Sequence, residues 1–328
     1  MLRDLALPAI TEIERARAFL GQHLTPTRLV PAPSLTALAG RPVLLKLESE
    51  LPTGSFKVRG ALYALWCRTQ ARPVSEVIAS STGNHGAAVA YAARQFGVRA
   101  TIFLPCGANP VKRQRIADLG AQIVECGRDI SDAAAAAVDH ASRDEGIYYL
   151  NDATDAVLPA GPATIGWEIL EQCPACAEVY VPVGDSALIR GVAAGVHARQ
   201  PGVRVIGVQA EAAPSYYLSW REGHAITTET CHTIADGLAT RTPVEANVQA
   251  VREAVADMRL VTEQQMLAAI ERLATDERVV AEPAAAATVA CLVATLDESI
   301  GRPPASSDAV VLLITGGNIA PGLLRDRS

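Results

Sequence analysis

The sequence predicts an α/β protein built on parallel β-sheets, and three observations support this fold class. Short runs rich in β-branched residues alternate with alanine-rich stretches of helical length, which is the rhythm of successive βαβ units. Hydrophobic residues make up 49% of the chain but aromatic residues only 4%, so Ala, Val, Leu and Ile must form most of the core. This suits layered packing and disfavours a β-sandwich. The length of 328 residues favours two domains over one.

The first part of the chain shows the alternation most clearly. Its opening stretch, MLRDLALPAITEIERARAFL, carries acids among its apolar positions, which predicts an amphipathic helix and disfavours a secretory leader. Four strands are predicted after it: VLLKL, VIAS, ATIFL and QIV. The helices between them are expected to run from Gly60, Asn84 and Lys112.

The same rhythm resumes after the segment DEGIYYLND. A helix is predicted from about Thr164, followed by the strand EVYVPV, a helix through ALIRGVAAGVHA, the strand VRVIGVQ and a closing strand AVVLLIT. No internal repeat, low-complexity tract or long linker interrupts the pattern. Composition alone therefore cannot place a domain boundary.

Charge and cysteine usage exclude several classes of function. The formal net charge is -6, so the chain lacks the basic surface that nucleic acids require, and no uncharged run is long enough to cross a membrane. We therefore expect neither a nucleic acid nor a membrane as a partner. Seven scattered cysteines predict reduced thiols, no disulfides and a cytoplasmic protein. Cys173 and Cys176 have CxxC spacing but no second pair to complete a metal site. A small-molecule enzyme fits these properties best.

Four glycine-containing loops follow or lie near the predicted strands. In parallel sheets, ligands bind at the carboxyl ends of strands, where loops lead into helix N-termini that favour anions. The four loops read PTGSFK, SSTGNHG, VPVGDSALIRG and ITGGN. None matches GxxxxGK[ST] or a GxGxxG that follows a strand, so the nucleotide-binding fingerprints are absent.

These segments carry a resemblance to a known family. GSFKVRGA, SSTGNHG, TIADGLA, EPAAAA and TGGN recur in this order in serine/threonine ammonia-lyases and serine racemases, and the chain resembles them over nearly its whole length. These are fold-type II pyridoxal-phosphate enzymes, similar to the tryptophan synthase β-subunit. The resemblance implies two parallel-sheet α/β domains with the cofactor between them: a small domain at 46–150 and a large domain formed by 1–45 and 151–328. It also implies a homodimer.

The resemblance assigns the first loop to the cofactor. It implies that Lys57 binds pyridoxal phosphate covalently and that Phe56 packs against the cofactor ring. Burial is expected to lower the pKa of Lys57, so that the neutral amine can act as nucleophile and base. The alternative is a solvated surface lysine. Thr315 stands where the family places a Ser or Cys facing the pyridine nitrogen, and Glu282 either lies under the cofactor or is simply the N-terminal acid of an alanine-rich helix.

The second loop is expected to hold the substrate. By resemblance, Ser81, Asn84 and His85 bind its carboxylate at the start of a helix, and Asn84 also contacts the cofactor. An ordinary helix N-cap with a tight turn is the alternative. Thr82 stands where racemases have a catalytic serine and many dehydratases have alanine. Because its β-branched side chain is stiff at χ1, we expect Thr82 to act sterically at the catalytic centre and elimination to dominate over racemization.

The third loop departs from the family's run of glycines. The residues expected to bind the cofactor phosphate here are Gly184, Asp185, Ser186, Ala187 and Leu188. Asp185 would place a negative charge near the phosphate. It either turns outward, caps the helix or pairs with Arg190, or it stays protonated and takes part in proton transfer at the phosphate.

The reaction implied is β-elimination from a small amino-acid substrate. Lys57 would take the α-proton of a β-hydroxy amino acid such as serine, threonine or 3-hydroxyaspartate, which would yield a 2-oxo acid and ammonia. The alternatives are a racemase of serine or 3-hydroxyaspartate, a synthase, and a ligand-binding module without catalysis. No metal site is expected: Glu211 follows the strand where many relatives bind a cation, but no second carboxylate accompanies it.

Overall fold

The computed structural model describes residues 7–298, 308–320 and 323 of the chain. Strands and helices alternate through most of its length. The strands are β1 Leu29–Pro31, β2 Val43–Leu47, β3 Glu76–Ser80, β4 Arg99–Leu104, β5 Gln122–Glu125, β6 Ile147–Tyr149, β7 Cys176–Pro182, β8 Arg204–Ala210, β9 Asp257–Val261 and β10 Ala309–Ile314. The helices are α1 Ile10–Leu20, α2 Pro33–Ala39, α3 Lys57–Ala71, α4 Asn84–Phe96, α5 Pro110–Asp118, α6 Ile130–Ala141, α7 Ala160–Gln172, α8 Ala187–His197, α9 Ser215–Glu222, α10 Glu245–Ala254, α11 Glu263–Thr275 and α12 Pro283–Glu298.

The strands form two sheets, as the predicted fold class requires. One has six strands in the order β1-β2-β10-β7-β8-β9, and the other has four in the order β5-β4-β3-β6. All neighbouring pairs are parallel except β1 and β2. The sequence analysis predicted no strand at this edge, where the three residues of β1 end in Pro31 and pair antiparallel with β2. A proline is tolerated there because an edge strand needs fewer backbone donors.

The strand sequences explain why both sheets are covered on their two faces. Every residue of β10 is buried. In each of β7, β8 and β3, every residue but one is buried. Continuous apolar strands of this kind are typical of parallel sheets with helices on both sides. The structure thus confirms the α/β class. The four-stranded sheet comes from residues within the predicted small domain, while the exact domain boundaries stay a prediction.

Helices α7 and α8 pack backbone to backbone through glycines. A Cβ atom on Gly195 would lie 2.0 Å from the carbonyl oxygen of Ala163, and one on Gly166 would lie 2.4 Å from that of Val192. Gly161 makes a similar approach to α3, where a Cβ would lie 2.6 Å from the carbonyl carbon of Arg59. These positions let three helices approach more closely than any larger residue permits.

A buried cluster of charges joins α3 to β2 and α7. The guanidinium of Arg59 donates to Glu48 at 2.8 Å and to Glu168 at 2.6 Å, and Lys46 donates to Glu168 at 2.7 Å. Burial alone lowers the pKa of Arg59, but the charges of Glu48 and Glu168 outweigh it and raise the pKa above its ordinary value. Each charge in this cluster therefore depends on its partners for compensation.

Candidate active site

Lys57 begins α3 at the point where the loops after β2 and β10 meet. The backbone N–H of Phe56 donates to the carbonyl oxygen of Thr315 at 2.9 Å, and Ser55 pairs with Gly316 in an isolated antiparallel bridge. The Lys57 side chain is 19% exposed and its Nζ lies 5.4 Å from the centre of the Phe56 ring. The alternative of a solvated surface lysine is therefore wrong.

The amine of Lys57 is paired with a carboxylate that the sequence analysis did not single out. Nζ lies 2.5 Å from Oδ2 of Asp152, which follows β6. Burial lowers the pKa of Lys57, but the negative charges of Asp152, Asp185 and Glu282 outweigh this effect and hold the pKa above its ordinary value. The expectation of a lowered pKa is thus wrong for the free protein, because it counted desolvation and not these neighbours.

His85 lies in the first turn of α4 and is 6% exposed. Its Nε2 donates to the carbonyl oxygen of Leu150 at 2.9 Å, because a carbonyl can only accept. Its Nδ1 faces Oδ2 of Asp152 at 3.8 Å and has no hydrogen-bond partner within the described residues. Burial lowers the pKa of His85, so the ring is neutral and Nδ1 is an acceptor.

The carboxylate of Asp185 faces Thr240 and lies close enough to Lys57 for their charges to interact. Its Oδ1 accepts a hydrogen bond from Thr240 Oγ1 at 3.1 Å, and it gives no cap to α8, whose N-cap residue is Ser186. Burial and the neighbouring charge of Asp152 raise the pKa of Asp185 to about 6. The outward-facing alternative is therefore wrong, and Asp185 adds a second acid to the surroundings of Lys57.

The loop between β7 and α8 has donors that suit a phosphate group. Ser186 adopts the left-handed region with φ 72°, and its side chain is buried. The N–H groups in the first turn of α8 have no acceptors inside the helix and favour an anion. A Cβ on Gly184 would lie 2.2 Å from the carbonyl oxygen of Gly237, in the segment TIADGLA, so glycine is needed for this loop to pack there. Ala187 and Leu188, also predicted here, are buried at the start of α8.

Glu282 connects α12 to the second and fourth loops. Its carboxylate accepts from Asn84 Nδ2 at 2.8 and 3.0 Å, and Asn318 donates to Asn84 Oδ1 at 2.6 Å. Burial raises the pKa of Glu282, against the opposing effect of the Asn84 hydrogen bond. A Cβ on Gly316 would lie 2.6 Å from Glu282 Oε1. Glu282 thus precedes an alanine-rich helix and contacts the second loop, while a position under the cofactor stays a prediction.

The remaining predicted residues lie in the second and fourth loops. Ser81 and Thr82 are half-buried between β3 and α4, and Ser81 accepts a hydrogen bond from the N–H of Gly83 at 3.3 Å. Gly83 itself is the N-cap residue of α4 and no side chain caps this helix, so the N-cap alternative for Ser81 and Thr82 is wrong. Thr315 is 3% exposed at the end of β10.

Sequence reasoning missed Asp152 and Thr240. Asp152 follows β6, and β6 is the parallel neighbour of β3, so their carboxyl ends share one edge of the sheet. The acids that follow IYYL were therefore a usable signal. Thr240 follows TIADGLA closely, but nothing in its local sequence indicates a contact with Asp185.

Other kinds of site find no support in the described part of the chain. There, no three His, Cys, Asp or Glu side chains are grouped to hold a metal ion, and all seven cysteines are free. Glu211 is exposed. Within the same residues, no helix has the length and apolar character needed to cross a membrane.

Two largely parallel sheets place the half-buried Lys57 among loops that lead into helix N-termini, which favour anions. The chain matches a family model described as pyridoxal-phosphate dependent enzyme over residues 20–316, and it belongs to this family. The cofactor is pyridoxal phosphate, and the residues fit it. The α8 loop offers donors for the phosphate, Lys57 offers the amine, and the buried Ser55 hydroxyl has no hydrogen-bond partner within the described residues.

The chain is similar to individual ammonia-lyases, deaminases and racemases. The chain is 35% identical to an L-threonine ammonia-lyase from Thermotoga maritima over 310 residues, which cover 94% of this chain and 75% of the relative. A threonine deaminase structure from T.th. superimposes with a TM-score of 0.84 at 31% identity, covering 95% of this chain and 98% of the other. Maize serine racemase superimposes with a TM-score of 0.91 at 26% identity, covering 97% and 96%.

Proposed function

We propose that this protein is an ammonia-lyase that converts a β-hydroxy amino acid to a 2-oxo acid and ammonia. The observation that carries the proposal is the position of Lys57, a half-buried amine at the junction of the predicted cofactor and substrate loops. The ammonia-lyase and deaminase names of relatives above 30% identity support this reaction. Thr315 supports it as well, because a neutral hydroxyl opposite the cofactor nitrogen suits elimination.

Each loop has a separate task in the proposed reaction. Pyridoxal phosphate, when bound, withdraws electrons from the α-carbon of the attached amino acid. The N-terminus of α8 would hold the phosphate, and the Ser81 hydroxyl and backbone N–H groups in the loop of Ser81, Asn84 and His85 would hold the substrate carboxylate. Lys57 takes the α-proton, and Asp152 orients its amine. The β-hydroxyl then leaves with a proton as water, and the surrounding helices exclude bulk solvent.

The proposal is tested with Lys57→Ala. We expect the variant to fold and to lose release of 2-oxo acid from serine and threonine. The chain has only three lysines, so reduction of the holoenzyme with borohydride followed by peptide mapping has three possible outcomes. Label on Lys57 supports the proposal. Label on Lys46 or Lys112, or substantial turnover by the Lys57→Ala variant, contradicts it.

Racemization is the second candidate, because Thr82 retains a hydroxyl in the predicted substrate loop and a serine racemase is among the structural neighbours. We expect Thr82 to act sterically and racemization to be a minor reaction. Chiral analysis of recovered serine beside pyruvate release decides between them. D-Serine that forms faster than pyruvate, and is lost in Thr82→Ala, would favour the racemase.

The assembly and location are also proposals. A homodimer in the cytoplasm is expected from the family resemblance and from the reduced cysteines. Sedimentation of the holoenzyme at several concentrations tests the dimer; a monomer at all of them would contradict it.

A further inference from the structure

Three hydrogen-bond acceptors lie near Lys57. They are the carboxylate of Asp152, Nδ1 of His85 and the carboxylate of Asp185. Nδ1 lies 3.8 Å from Asp152 Oδ2 in a ring that is 6% exposed, and it has no hydrogen-bond partner within the described residues. A buried acceptor such as this ring nitrogen requires a donor. The described residues supply none for Nδ1, so a donor carried by the substrate would satisfy it.

Lys57 is the cation that now neutralises part of this negative charge. Its Nζ is 2.5 Å from Asp152, and Asp185 also acts on it electrostatically. When Lys57 holds the cofactor, or is the neutral amine that takes the α-proton, it brings no positive charge to Asp152 and Asp185. Two half-buried carboxylates then remain near the substrate without their cation, and unpaired charges held away from water are costly. A cation on the substrate would remove this cost, whereas an anion would increase it.

We propose that the substrate is a β-hydroxy amino acid with a cationic nitrogen on its side chain, which Asp152, Asp185 and Nδ1 of His85 bind. This rests on the proposed elimination and specifies its substrate class. An ammonium group has three donors, which matches three acceptors. The reaction is unchanged. The α C–H and β C–O bonds break, and the hydroxyl leaves with a proton as water. A second water then hydrolyses the resulting imine, which releases the α-nitrogen as ammonia and leaves the 2-oxo group. The side-chain nitrogen is retained in the 2-oxo acid.

Substrate charge is the variable to test. We expect kcat/KM for 3-hydroxy-2,4-diaminobutanoate to exceed that for threonine by at least about tenfold, and that for 3-hydroxyaspartate to fall below threonine by a similar factor. The difference should shrink as salt is raised, since ionic interactions are screened. Equal kcat/KM for the cationic and neutral substrates would overturn the proposal.

Binding without turnover gives an independent measurement. 2,4-Diaminobutanoate and 2-aminobutanoate lack the leaving group, so their Kd for the holoenzyme can be measured by calorimetry. We expect the first to bind at least about tenfold more tightly. Asp185→Asn and Asp152→Asn should each reduce this preference several-fold, whereas Asp139→Asn, the same change on an exposed surface of α6, should not. A preference that survives both active-site variants would overturn the proposal.

The outcomes separate this inference from the function on which it rests. If no hydroxy amino acid yields a 2-oxo acid, the elimination is wrong, whatever the calorimetry shows. If threonine is eliminated but Asp185→Asn changes kcat equally for all substrates and leaves both Kd values unchanged, the acids only position Lys57, and the substrate class proposed here is wrong.

Discussion

Among single residues, Asp152 controls the charge of Lys57. Its carboxylate holds the pKa of the lysine above the ordinary value despite burial. The paired ammonium is well placed but cannot act as a nucleophile, because attachment of the cofactor requires the neutral amine. The acid therefore makes the first step of cofactor loading dependent on pH.

We predict that Asp152→Asn accelerates cofactor attachment near neutral pH. Removing the negative charge lowers the pKa of Lys57, so a larger fraction of the amine is neutral. The measurement is the absorbance change after pyridoxal phosphate is added to the cofactor-free protein between about pH 6 and 9. In the wild type the rate should rise with pH, and in the variant the rise should occur at lower pH. Asp139→Asn is the control, and an unchanged profile in Asp152→Asn would contradict the prediction.

The carboxyl group of Asp185 has a pKa of about 6 in the folded protein, above the value of about 3.9 for an unperturbed aspartate. Between these values the folded state binds more protons than the unfolded state, so stability falls as pH rises through this window. The shift corresponds to about 3 kcal/mol at most. Asp185→Asn should therefore be more stable than the cofactor-free wild type at about pH 7 and lose this advantage near pH 4.

Urea unfolding at a series of pH values measures this effect. A variant that is less stable than the wild type at neutral pH would show that the hydrogen bond from Thr240 outweighs the burial of the charge.

Among the secondary-structure elements, the approach of α7 to α8 depends on the absence of side chains. The backbone of one helix contacts the other at Gly166 and Gly195, which leaves no volume for a methyl group. Such contacts fix the position of α8, and with it the loop predicted to hold the phosphate.

We predict that Gly195→Ala destabilises the protein. Alanine is a better helix former, but its Cβ would overlap the carbonyl oxygen of Ala163 at 2.0 Å. Overpacking of this kind costs about 1–3 kcal/mol. Gly202→Ala is the control, because nothing lies within 4 Å of the added Cβ. Urea unfolding should separate the two variants; equal midpoints would show that the helices can move apart without cost.

The helices and strands also show where sequence reasoning succeeds. The predicted strand VLLKL coincides with β2, and the other six predicted strands overlap β3, β4, β5, β7, β8 and β10. Except for β5, these strands are largely buried, and buried strands are continuous apolar runs. The three residues of β6 and the mixed polarity of β9 gave no such signal. The family and cofactor followed from five motifs in order. The orientation of the Asp185 side chain could not be predicted in this way, because it depends on a hydrogen bond from Thr240, 55 residues further along the chain.

In the molecule as a whole, the charge cluster around Arg59 links elements of both sheets. β2 belongs to the six-stranded sheet, whereas α3 packs with helix α4 beside the four-stranded sheet. Arg59 compensates Glu48 and Glu168, both of which are buried. Loss of the cation would leave two carboxylates buried together.

We predict that Arg59→Leu destabilises the protein by about 3–5 kcal/mol, the cost of breaking a buried ion pair from one side. Arg143→Leu removes an exposed pair with Asp139 on α6 and should change stability by less than about 1 kcal/mol. The free energy of unfolding from urea titration measures both. A small loss for Arg59→Leu would mean that the two glutamates become protonated or hydrated without disrupting the core.

The same cluster limits how the active site can move. Lys57 lies two residues before Arg59 on one helix; Arg59 is held to α7, and glycine contacts lock α7 to α8. The lysine and the N-terminal end of α8 thus belong to one tightly packed unit. The loop of Ser81 to His85 follows β3 of the other sheet, but α4 packs against α3 and Asn84 donates to Glu282, so this loop is joined to the same unit. Entry of a substrate should therefore leave the relative positions of Lys57, the start of α8 and the start of α4 unchanged.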